Sequence, residues 1–346
     1  MNILNLLEWT ADRREGRIET KRSTSYNGVD LSTKQMRKMS TLSAGQLLEM
    51  AKFVIPPLQY SKHKGQAGRV AVIGGCKEYT GAPYFAAISA LKAGADLSHV
   101  FCTEAASPVI KSYSPELIVH PVLDWTNSVE EILQWLPRFH SIIVGPGLGR
   151  EEKILKSTSA VIEEAKQRKL PIVIDADGLF LVTQNPDIIK GYDNVVLTPN
   201  VAEFGRLYKK IFNKDADSEE PVESLKQLCC ELGHVTIVHK GLHDIISDGD
   251  KVLTYSNPGS PRRCGGQGDL LSGSMGLFAA WAKFAQDRST NEGCSSPTYK
   301  FGMQAAYLAC ALTRECSRRA FELNGRSMTT TDMISQIHPS FEHMFT

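Results

Sequence analysis

Cys264-Gly265-Gly266-Gln267-Gly268-Asp269 lies between a turn rich in proline and glycine, Asn257–Pro261, and an apolar segment, Leu270–Lys283, that is typical of a helix. Its glycines disfavour strand and helix, but they allow backbone N–H groups to point inward together. At the start of a helix such a loop binds anions, because unpaired N–H groups and the positive end of the helix dipole face the ligand. Asp269 adds a carboxylate, and phosphoryl transfer to a hydroxyl requires a base beside such a loop. An Asp that caps the helix after a flexible turn explains the same residues equally well.

Short apolar runs alternate with helical segments in the rest of the chain. Strands that alternate with helices form a parallel sheet covered on both faces, so an α/β protein is predicted. Most runs end in Gly, Asn, Asp or Lys, and ligands of open α/β sheets bind just beyond the carboxyl ends of the strands. We therefore expect the functional residues along one sheet edge. The predicted strands are Arg69–Gly75, Leu97–Phe101, Ser141–Val144, Pro171–Ile174, Val195–Leu197 and Val235–Val238, with a hairpin between Ile245-Ile246 and Val252–Tyr255, and the predicted helices are Ala82–Ala95, Lys153–Lys169, 219–232, Leu270–Lys283 and Phe301–Leu323.

The chain is predicted to contain one domain preceded by an extension. Residues 41–346 show no linker or break in composition. Residues 1–40 differ, because acidic side chains alternate there with arginines and lysines, and we expect a loosely structured N-terminal extension. Its apolar start, Ile3–Leu7, is too short for a secretory signal, and its acidic residues argue against a mitochondrial targeting segment. A cytoplasmic location is the resulting expectation.

Charge and cysteine content exclude several classes of function. The 346 residues carry a net charge of +1, and the lysines and arginines are scattered, so no nucleic-acid or membrane partner is indicated. The eight cysteines stand singly except for Cys229-Cys230, as expected for reduced thiols inside a cell. Neither the cysteines nor the nine histidines show metal-ligand spacing, so no residue is assigned as a metal ligand.

Three further motifs follow predicted strands, and each has a structural explanation beside a functional one. Asn200-Val201-Ala202-Glu203 puts Asn200 and Glu203 on one face of a helix, where they could position a hydrated magnesium ion or form a helix cap. Lys240 could meet a phosphate or be an ordinary turn residue. Gly147 could mark a close backbone approach to a ligand or a plain turn.

Two common nucleotide-binding motifs are absent from the sequence. Gly74-Gly75 follows the first strand, but no Gly-x-Gly-x-x-Gly follows it and no acidic residue ends the next strand, as a dinucleotide-binding fold would require. No Walker A loop is present. Asp175 and Asp177 follow another strand, and we expect them to cap the helix that begins near Gly178 rather than to bind a ligand.

In combination and order, these motifs resemble those of the ribokinase-like superfamily, and more closely those of its ATP-dependent NAD(P)H-hydrate dehydratase family. The resemblance covers roughly residues 45–335 and implies a three-layer α/β sandwich with a mostly parallel central sheet and helices on both faces. Bacterial members more often carry Gly-Thr-Gly-Asp in the last loop, and Gly-Gly-Gln-Gly-Asp here is similar to the eukaryotic version. The matching stretches are Lys64–Gly68, Val144–Gly149, Ile174–Gly178, Leu197–Phe204, Lys240-Gly241 and Gly265–Asp269.

The resemblance also implies roles for individual residues. Asp269 would be the catalytic base, and the reaction would require ATP and Mg2+. The residues implied to contact the substrate are Gly147, Asn200, Val201, Ala202, Glu203, Phe204, Gly205, Arg206 and Asp269. The residues implied to bind ATP are Lys240, Gly241, Leu242, His243, Asp244, Gly259, Ser260, Pro261, Arg262, Arg263, Cys264, Gly265, Gly266, Gln267 and Gly268.

The implied activity is repair of a damaged cofactor. Water adds across the C5–C6 bond of the nicotinamide of NADH or NADPH, and the family removes it from the S epimer of the hydrate at the expense of ATP. Because hydroxide is a poor leaving group and phosphate a good one, the C6 hydroxyl would be phosphorylated transiently. Asp269 would take its proton, and the N–H groups of Gly265–Gly268 would stabilise the transferring phosphoryl group.

Three alternative functions stay open. A vitamin or sugar kinase of the same superfamily would leave a stable phosphorylated product. An NAD-dependent oxidoreductase would change the redox state of the cofactor without ATP, but the chain lacks its motif. A nucleotide-binding sensor has no need of Asp269. The sequence also leaves open a homo-oligomer and the preference between the NADH and NADPH hydrates.

Overall fold

The computed structural model of the chain describes residues 40–293 and 297–346. The extension predicted at residues 1–40 lies outside the described residues apart from Ser40, so it stays a prediction. Within the described ranges, no helix is both long enough and apolar enough to span a membrane.

The described residues contain nine strands, namely β1 (Arg69–Ile73), β2 (Leu97–Cys102), β3 (Ile118–Pro121), β4 (Ser141–Val144), β5 (Ile172–Ile174), β6 (Val195–Leu197), β7 (Thr236–His239), β8 (Asp244–Ser247) and β9 (Val252–Tyr255). They form one sheet in the order β3-β2-β1-β4-β5-β6-β7-β8-β9. The pairs from β3 to β7 are parallel, whereas β7–β8 and β8–β9 are antiparallel. The mostly parallel sheet and the hairpin that ends it are thereby confirmed.

Helices cover both faces of the sheet, which confirms the predicted three layers. The helices are α1 (Ala44–Val54), α2 (Gly81–Ala93), α3 (Ser107–Tyr113), α4 (Ser128–Leu133), α5 (Glu152–Gln167), α6 (Asp177–Gln184), α7 (Val201–Phe212), α8 (Pro221–Glu231), α9 (Gln267–Asn291), α10 (Phe301–Asn324), α11 (Thr330–Ser335) and α12 (Ile337–Phe345). Short 3-10 turns lie at Leu136–Arg138, Pro186–Ile188 and Gly325–Ser327.

The sheet separates two hydrophobic cores. Val70 and Val72 of β1 point into the core that contains α1, α2, α9 and α10, whereas Ala71 and Ile73 point into the core that contains α5 to α8. Successive side chains of a strand point to opposite faces, so a strand buried on both faces must be apolar throughout. This is why the central strands read as continuous apolar runs.

Glycines after β1 and β4 allow the loops that follow β1, β4 and β5 to pass one another in backbone contact. A Cβ atom at Gly74 would lie 2.1 Å from the carbonyl oxygen of Pro146, and one at Gly145 would lie 1.8 Å from that of Asp175. Both positions therefore exclude any side chain. Gly74, which invited comparison with a dinucleotide-binding turn, is explained by the packing of these loops.

Candidate active site

The carboxyl edge of the sheet gathers four segments that the sequence places far apart. Asp175 follows β5, Asn200 follows β6 and Lys240 follows β7, and the start of α9 lies over the three loops. The Lys240 amide donates to the carbonyl of Pro199 at 2.9 Å, which joins two of them. A Cβ atom at Gly268 would lie 3.6 Å from Lys240 Nζ and 3.7 Å from Asp175 Oδ2, so α9 begins directly above the other two.

The Gly-rich loop ends in an uncapped helix start. α9 begins at Gln267, and Gly266 precedes it with φ 93° and no side-chain capping bond. The loop is held by the Thr330 hydroxyl, which donates to the carbonyl of Gly265 at 2.6 Å, and by the side chain of Gln267, whose Nε2 donates to the carbonyl of Arg262 at 3.1 Å. Since no side chain of the described residues caps this turn, its N–H groups are available to bind an anion.

Gly266, not Gly268, is the residue of this loop that requires glycine for its backbone. Gly266 has φ 93°, whereas Gly268 is absent from the residues with positive φ in the described chain. A Cβ atom at Gly266 would also lie 2.7 Å from a ring carbon of Phe85 and 2.9 Å from Thr330 Oγ1. Gly268 has ordinary contact distances and lies over Lys240.

Asp269 lies inside the first turn of α9 and does not cap it. Within the described part of the chain, no hydrogen-bond donor contacts its carboxylate, so that group is free to accept a proton from a bound substrate. Burial raises the pKa of Asp269 well above its usual value, the charge of Asp175 raises it further, and the ammonium of Lys240 lowers it. A carboxyl group with a raised pKa is a better match to a general base at neutral pH than an ordinary aspartate.

Asp175 is the site residue whose role the sequence interpretation missed. Its Oδ1 accepts a hydrogen bond from Lys240 Nζ at 2.8 Å, and the side chain is 3 % exposed. The prediction that Asp175 and Asp177 cap α6 is wrong, because α6 has no side-chain capping bond. Asp177 instead accepts hydrogen bonds from the Gly149 amide at 3.1 Å and from Arg150 Nε at 3.0 Å.

Asn200 and Glu203 form a capping box at the start of α7. The Glu203 amide donates to Asn200 Oδ1 at 2.9 Å, and the Asn200 amide donates to Glu203 Oε2 at 2.8 Å. The capping explanation of this motif is thereby confirmed, and the box fixes the exposed first turn beside Lys240. Phe204, in contrast, is buried and its ring stacks on His239 with centroids 4.4 Å apart.

The two loops implied to bind ATP, Lys240–Asp244 and Gly259–Gly268, both contact α10. Arg314 donates to both carboxylate oxygens of Asp244 and to the carbonyl of Gly241. Ser260 and Ser317 share a hydrogen bond of 2.8 Å, which ties the second loop to the same helix. The buried Asp244 carboxylate therefore holds its turn, and the side chain is not free for a ligand. Arg314 carries no local sequence signal, because its partner lies 70 positions away.

Gly147 occupies a tight backbone turn beside the site. It has φ 61°, and its carbonyl accepts a hydrogen bond from the Gly75 amide at 3.0 Å. A Cβ atom there would lie 2.7 Å from the carbonyl oxygen of Tyr79. Packing alone therefore requires glycine at this position.

A metal ion would find few protein ligands at this edge. In residues 40–293 and 297–346, no group of three or more His, Cys, Asp or Glu side chains is arranged to hold one. Because the capping box uses one oxygen from each of Asn200 and Glu203, the donor set fits a magnesium ion that is bound mainly by nucleotide phosphates and water.

Curated relatives are similar to the chain over most of its length. A protein from Danio rerio named ATP-dependent (S)-NAD(P)H-hydrate dehydratase is 55 % identical over 311 residues, which are 89 % of this chain and 92 % of the relative. A Homo sapiens protein of the same name is 55 % identical over 298 residues, or 86 % of this chain and 84 % of the relative.

Solved structures show the same fold at low sequence identity. A ribokinase-like superfamily protein from Enterococcus faecalis superposes with a TM-score of 0.71 at 20 % identity, covering 89 % of this chain and 97 % of the other. An ADP/ATP-dependent NAD(P)H-hydrate dehydratase from Bacillus subtilis, co-crystallized with ATP/Mg2+, superposes with a TM-score of 0.64 at 18 % identity, covering 88 % and 99 %.

The family model described as NAD(P)H-hydrate dehydratase matches residues 70–339. That range contains the sheet from Val70 onward, the Asp269 carboxylate and the Gly-rich loop before it. The match of the family model and the identity to curated relatives lead to one assignment: the chain belongs to the NAD(P)H-hydrate dehydratase family.

Proposed function

We propose that this protein uses ATP to dehydrate the S epimer of NADH hydrate and NADPH hydrate, which restores the reduced cofactor and releases ADP and phosphate. In reaction class it would be a carbon–oxygen lyase. The family assignment supports this proposal, since relatives with 55 % identity bear the name of that activity. The observation in the molecule that carries it is Asp269, whose carboxylate meets no hydrogen-bond donor among the described residues and lies beside an uncapped helix start.

The first step is transfer of the γ-phosphoryl group. The Asp269 carboxylate accepts the proton of the C6 hydroxyl as that oxygen attacks γ-phosphorus, and the bond from phosphorus to the β-γ bridging oxygen breaks to release ADP. The N–H groups of the first turn of α9, which Gly266 leaves uncapped, stabilise the charge of the transferring group. Burial of Asp269 favours this proton transfer because it makes the carboxylate more basic.

The second step removes the phosphate. The lone pair of the ring nitrogen forms a double bond to C6 as the C6–O bond breaks, and phosphate leaves with the bonding electrons. Loss of a proton from C5 then restores the dihydronicotinamide. Hence no phosphorylated nicotinamide accumulates, and one ATP is consumed for each cofactor restored.

We assign the binding residues in two groups. The turn at Gly147, the segment Asn200–Arg206 and Asp269 would contact the hydrate. The segments Lys240–Asp244 and Gly259–Gly268 would contact ATP, the first through its backbone because Arg314 already holds the Asp244 carboxylate. The nucleotide would bring a magnesium ion that neutralises part of the phosphate charge.

The test is incubation of the protein with hydrated NADH and MgATP. Return of dihydronicotinamide absorbance together with ADP is the expected result, and the Asp269→Asn protein under the same conditions is the control. Absorbance that returns without ATP would indicate dehydration without phosphoryl transfer, and ATP binding without turnover would indicate a sensor. Either result would contradict the proposal.

The setting of the reaction is proposed as well. The partners would be small molecules alone, namely the two hydrates and ATP, and the location would be the cytoplasm. Light scattering from the purified protein would decide whether a homo-oligomer forms, and fractionation of cells would test the location.

A further inference from the structure

Asp175 and Lys240 form an ion pair that the proposed reaction does not yet use. Lys240 Nζ donates to Asp175 Oδ1 at 2.8 Å, and the two side chains are 20 % and 3 % exposed. Asp175 lies on a constrained backbone, because the next residue, Ala176, has φ 48° and ψ −121°. The pair is therefore fixed in place where β5 and β7 end.

The pair lies beneath the first turn of α9. A Cβ atom at Gly268 would touch both partners, at 3.6 Å from Lys240 Nζ and 3.7 Å from Asp175 Oδ2. Asp269 is the next residue along the helix. The charged groups that act on the Asp269 carboxyl are Asp175 and Lys240, and those that act on Lys240 are Asp175, Glu203 and Asp269.

We propose that Asp175 and Lys240 are positioning residues that set the proton affinity of Asp269. The lysine charge favours the ionised form of the Asp269 carboxyl. The aspartate anchors the lysine and partly neutralises it, so that Asp269 stays basic enough to accept the hydroxyl proton. This assignment rests on the proposed function, and it gives the Lys240 side chain a role toward the base, whereas the resemblance implied a role toward ATP.

The physical reason is the balance that a general base requires. A carboxylate beside an uncompensated lysine is a weak base, while a carboxyl group buried beside another carboxylate stays protonated. Burial and Asp175 raise the pKa of Asp269, and Lys240 lowers it. Burial also acts against the charge of Lys240, but Asp175, Glu203 and Asp269 outweigh it and raise the pKa of the ammonium. The Lys240 ammonium therefore stays charged over the pH range in which Asp269 would act as a base.

The experiment compares Asp175→Asn with the double variant Asp175→Asn/Lys240→Met. In the single variant the amide oxygen still accepts from Lys240, but the negative charge is gone. We therefore expect the acid limb of kcat/KM for the hydrate, measured at saturating MgATP, to move down by about one pH unit or more. In the double variant the lysine charge is lost too, so the acid limb should move back to higher pH by a similar amount.

Asp177→Asn is the matched control. It removes a neighbouring carboxylate that binds Gly149 and Arg150 and makes no contact with Lys240, so the acid limb should stay at the wild-type pH. Coincident limbs for the single and double variants, or an upward shift for Asp175→Asn, would overturn the proposal. A fall in kcat with no movement of either limb would also do so, because a purely structural role predicts that pattern.

A second readout needs no catalysis. The pH titration of the Asp269 carboxyl, followed by 13C NMR of labelled aspartate and assigned by its loss in Asp269→Asn, should show the same opposite shifts. If the wild-type protein failed to restore NADH while the carboxyl still shifted as expected, the proposed function would fail and the assignment of the pair would stand. If the enzyme restored NADH but the titration of the Asp269 carboxyl did not shift in the variants, the proposed function would stand and the assignment of the pair would fail.

Discussion

Arg314 and Asp244 form a two-pronged ion pair in which Nε donates to Oδ2 at 2.7 Å and Nη2 donates to Oδ1 at 2.8 Å. Asp244 is buried and the Arg314 side chain is only 12 % exposed, and the same guanidinium also donates to the carbonyl of Gly241 at 2.9 Å. A planar guanidinium satisfies three acceptors at once, which an ammonium cannot do in the same geometry. The turn after β7 is therefore held in shape by a helix that follows it by some seventy positions.

Arg314→Lys should weaken ATP binding while it keeps the positive charge. Loss of a charge-assisted hydrogen bond costs about 1.5–3 kcal/mol, so we expect the KM for ATP to rise at least about tenfold and the melting temperature to fall. Arg318→Lys on the same helix is the control, because Arg318 makes only partly exposed ion pairs with Glu315 and Glu322. An unchanged KM in Arg314→Lys would show that the Arg314–Asp244 pair does not shape an ATP site.

Asp269→Asn should lower the activity of the protein and raise its stability at pH 8. We expect turnover to fall by roughly 10²–10⁴-fold, the usual loss when a general base is removed. The folded-state pKa of Asp269 lies well above its usual value of 3.8, so stability falls as pH rises from that value through the raised pKa. The Asn variant should accordingly melt higher than the wild type at pH 8, and the difference should shrink towards pH 4.

Thermal melting at both pH values, measured beside the rate, checks this prediction. A variant that kept more than half of the wild-type rate would remove Asp269 from the mechanism. A variant that melted lower at pH 8 would show that the ionised carboxylate is stabilised by its surroundings, against the direction of its pKa.

Gly266 and Gly268 should respond differently to the same substitution. Gly266→Val should lower the melting temperature sharply, because the residue has φ 93° and its Cβ atom would collide with Phe85 and Thr330. Gly268→Val should remain folded, since the nearest atoms lie at ordinary contact distances. We expect it to lose turnover by on the order of 10²-fold, as for a displaced oxyanion donor. Normal activity in folded Gly268→Val would show that this turn does not bind the phosphoryl group.

His99 and His120 should make the protein sensitive to mild acid. Their rings share a hydrogen bond of 2.9 Å, and burial first, then nearby positive charge, lowers the pKa of each to about 4. The unfolded chain takes up these protons near pH 6.5, so the stability is present above that pH and is lost as pH falls towards 4.

In the double variant His99→Gln/His120→Gln, the free energy of unfolding should decrease less steeply as pH falls. Each histidine contributes a slope of up to about 1.4 kcal/mol per pH unit. Urea unfolding at several pH values between 7 and 4 measures the slope for both proteins. Equal slopes in the two proteins would mean that these histidines are protonated in the folded state as easily as in the unfolded chain.

The sequence predicted the parts of the site that are built from neighbouring residues. The Gly-rich loop, Asp269 and the strands with continuous apolar runs all carry local signals. Asp175 was misassigned because an acid before a helix has the same local pattern whether it caps the helix or pairs with a lysine 65 positions away. Thr330, which holds the Gly265 carbonyl from 65 positions away, has no local signal either.

Among the strands, β3 escaped prediction for a different physical reason. It forms the edge of the sheet, its first residue, Ile118, is exposed, and it contains His120 and Pro121. An edge strand needs neither two apolar faces nor a full set of donors, so it can be short and polar. Length and apolar content, which identified the central strands, therefore fail at this edge.

The central claim is that phosphorylation of the hydrate is transient. The most direct measurement is a quenched reaction of the protein with hydrated NADH and MgATP, in which ADP, free phosphate, NADH and any phosphorylated dinucleotide are quantified together. The ring nitrogen expels phosphate once C6 carries it, so we expect one ADP and one phosphate for each NADH restored and no phosphorylated nicotinamide. A persistent phosphorylated dinucleotide, with ADP formed but free phosphate absent, would contradict this account and make the protein a kinase.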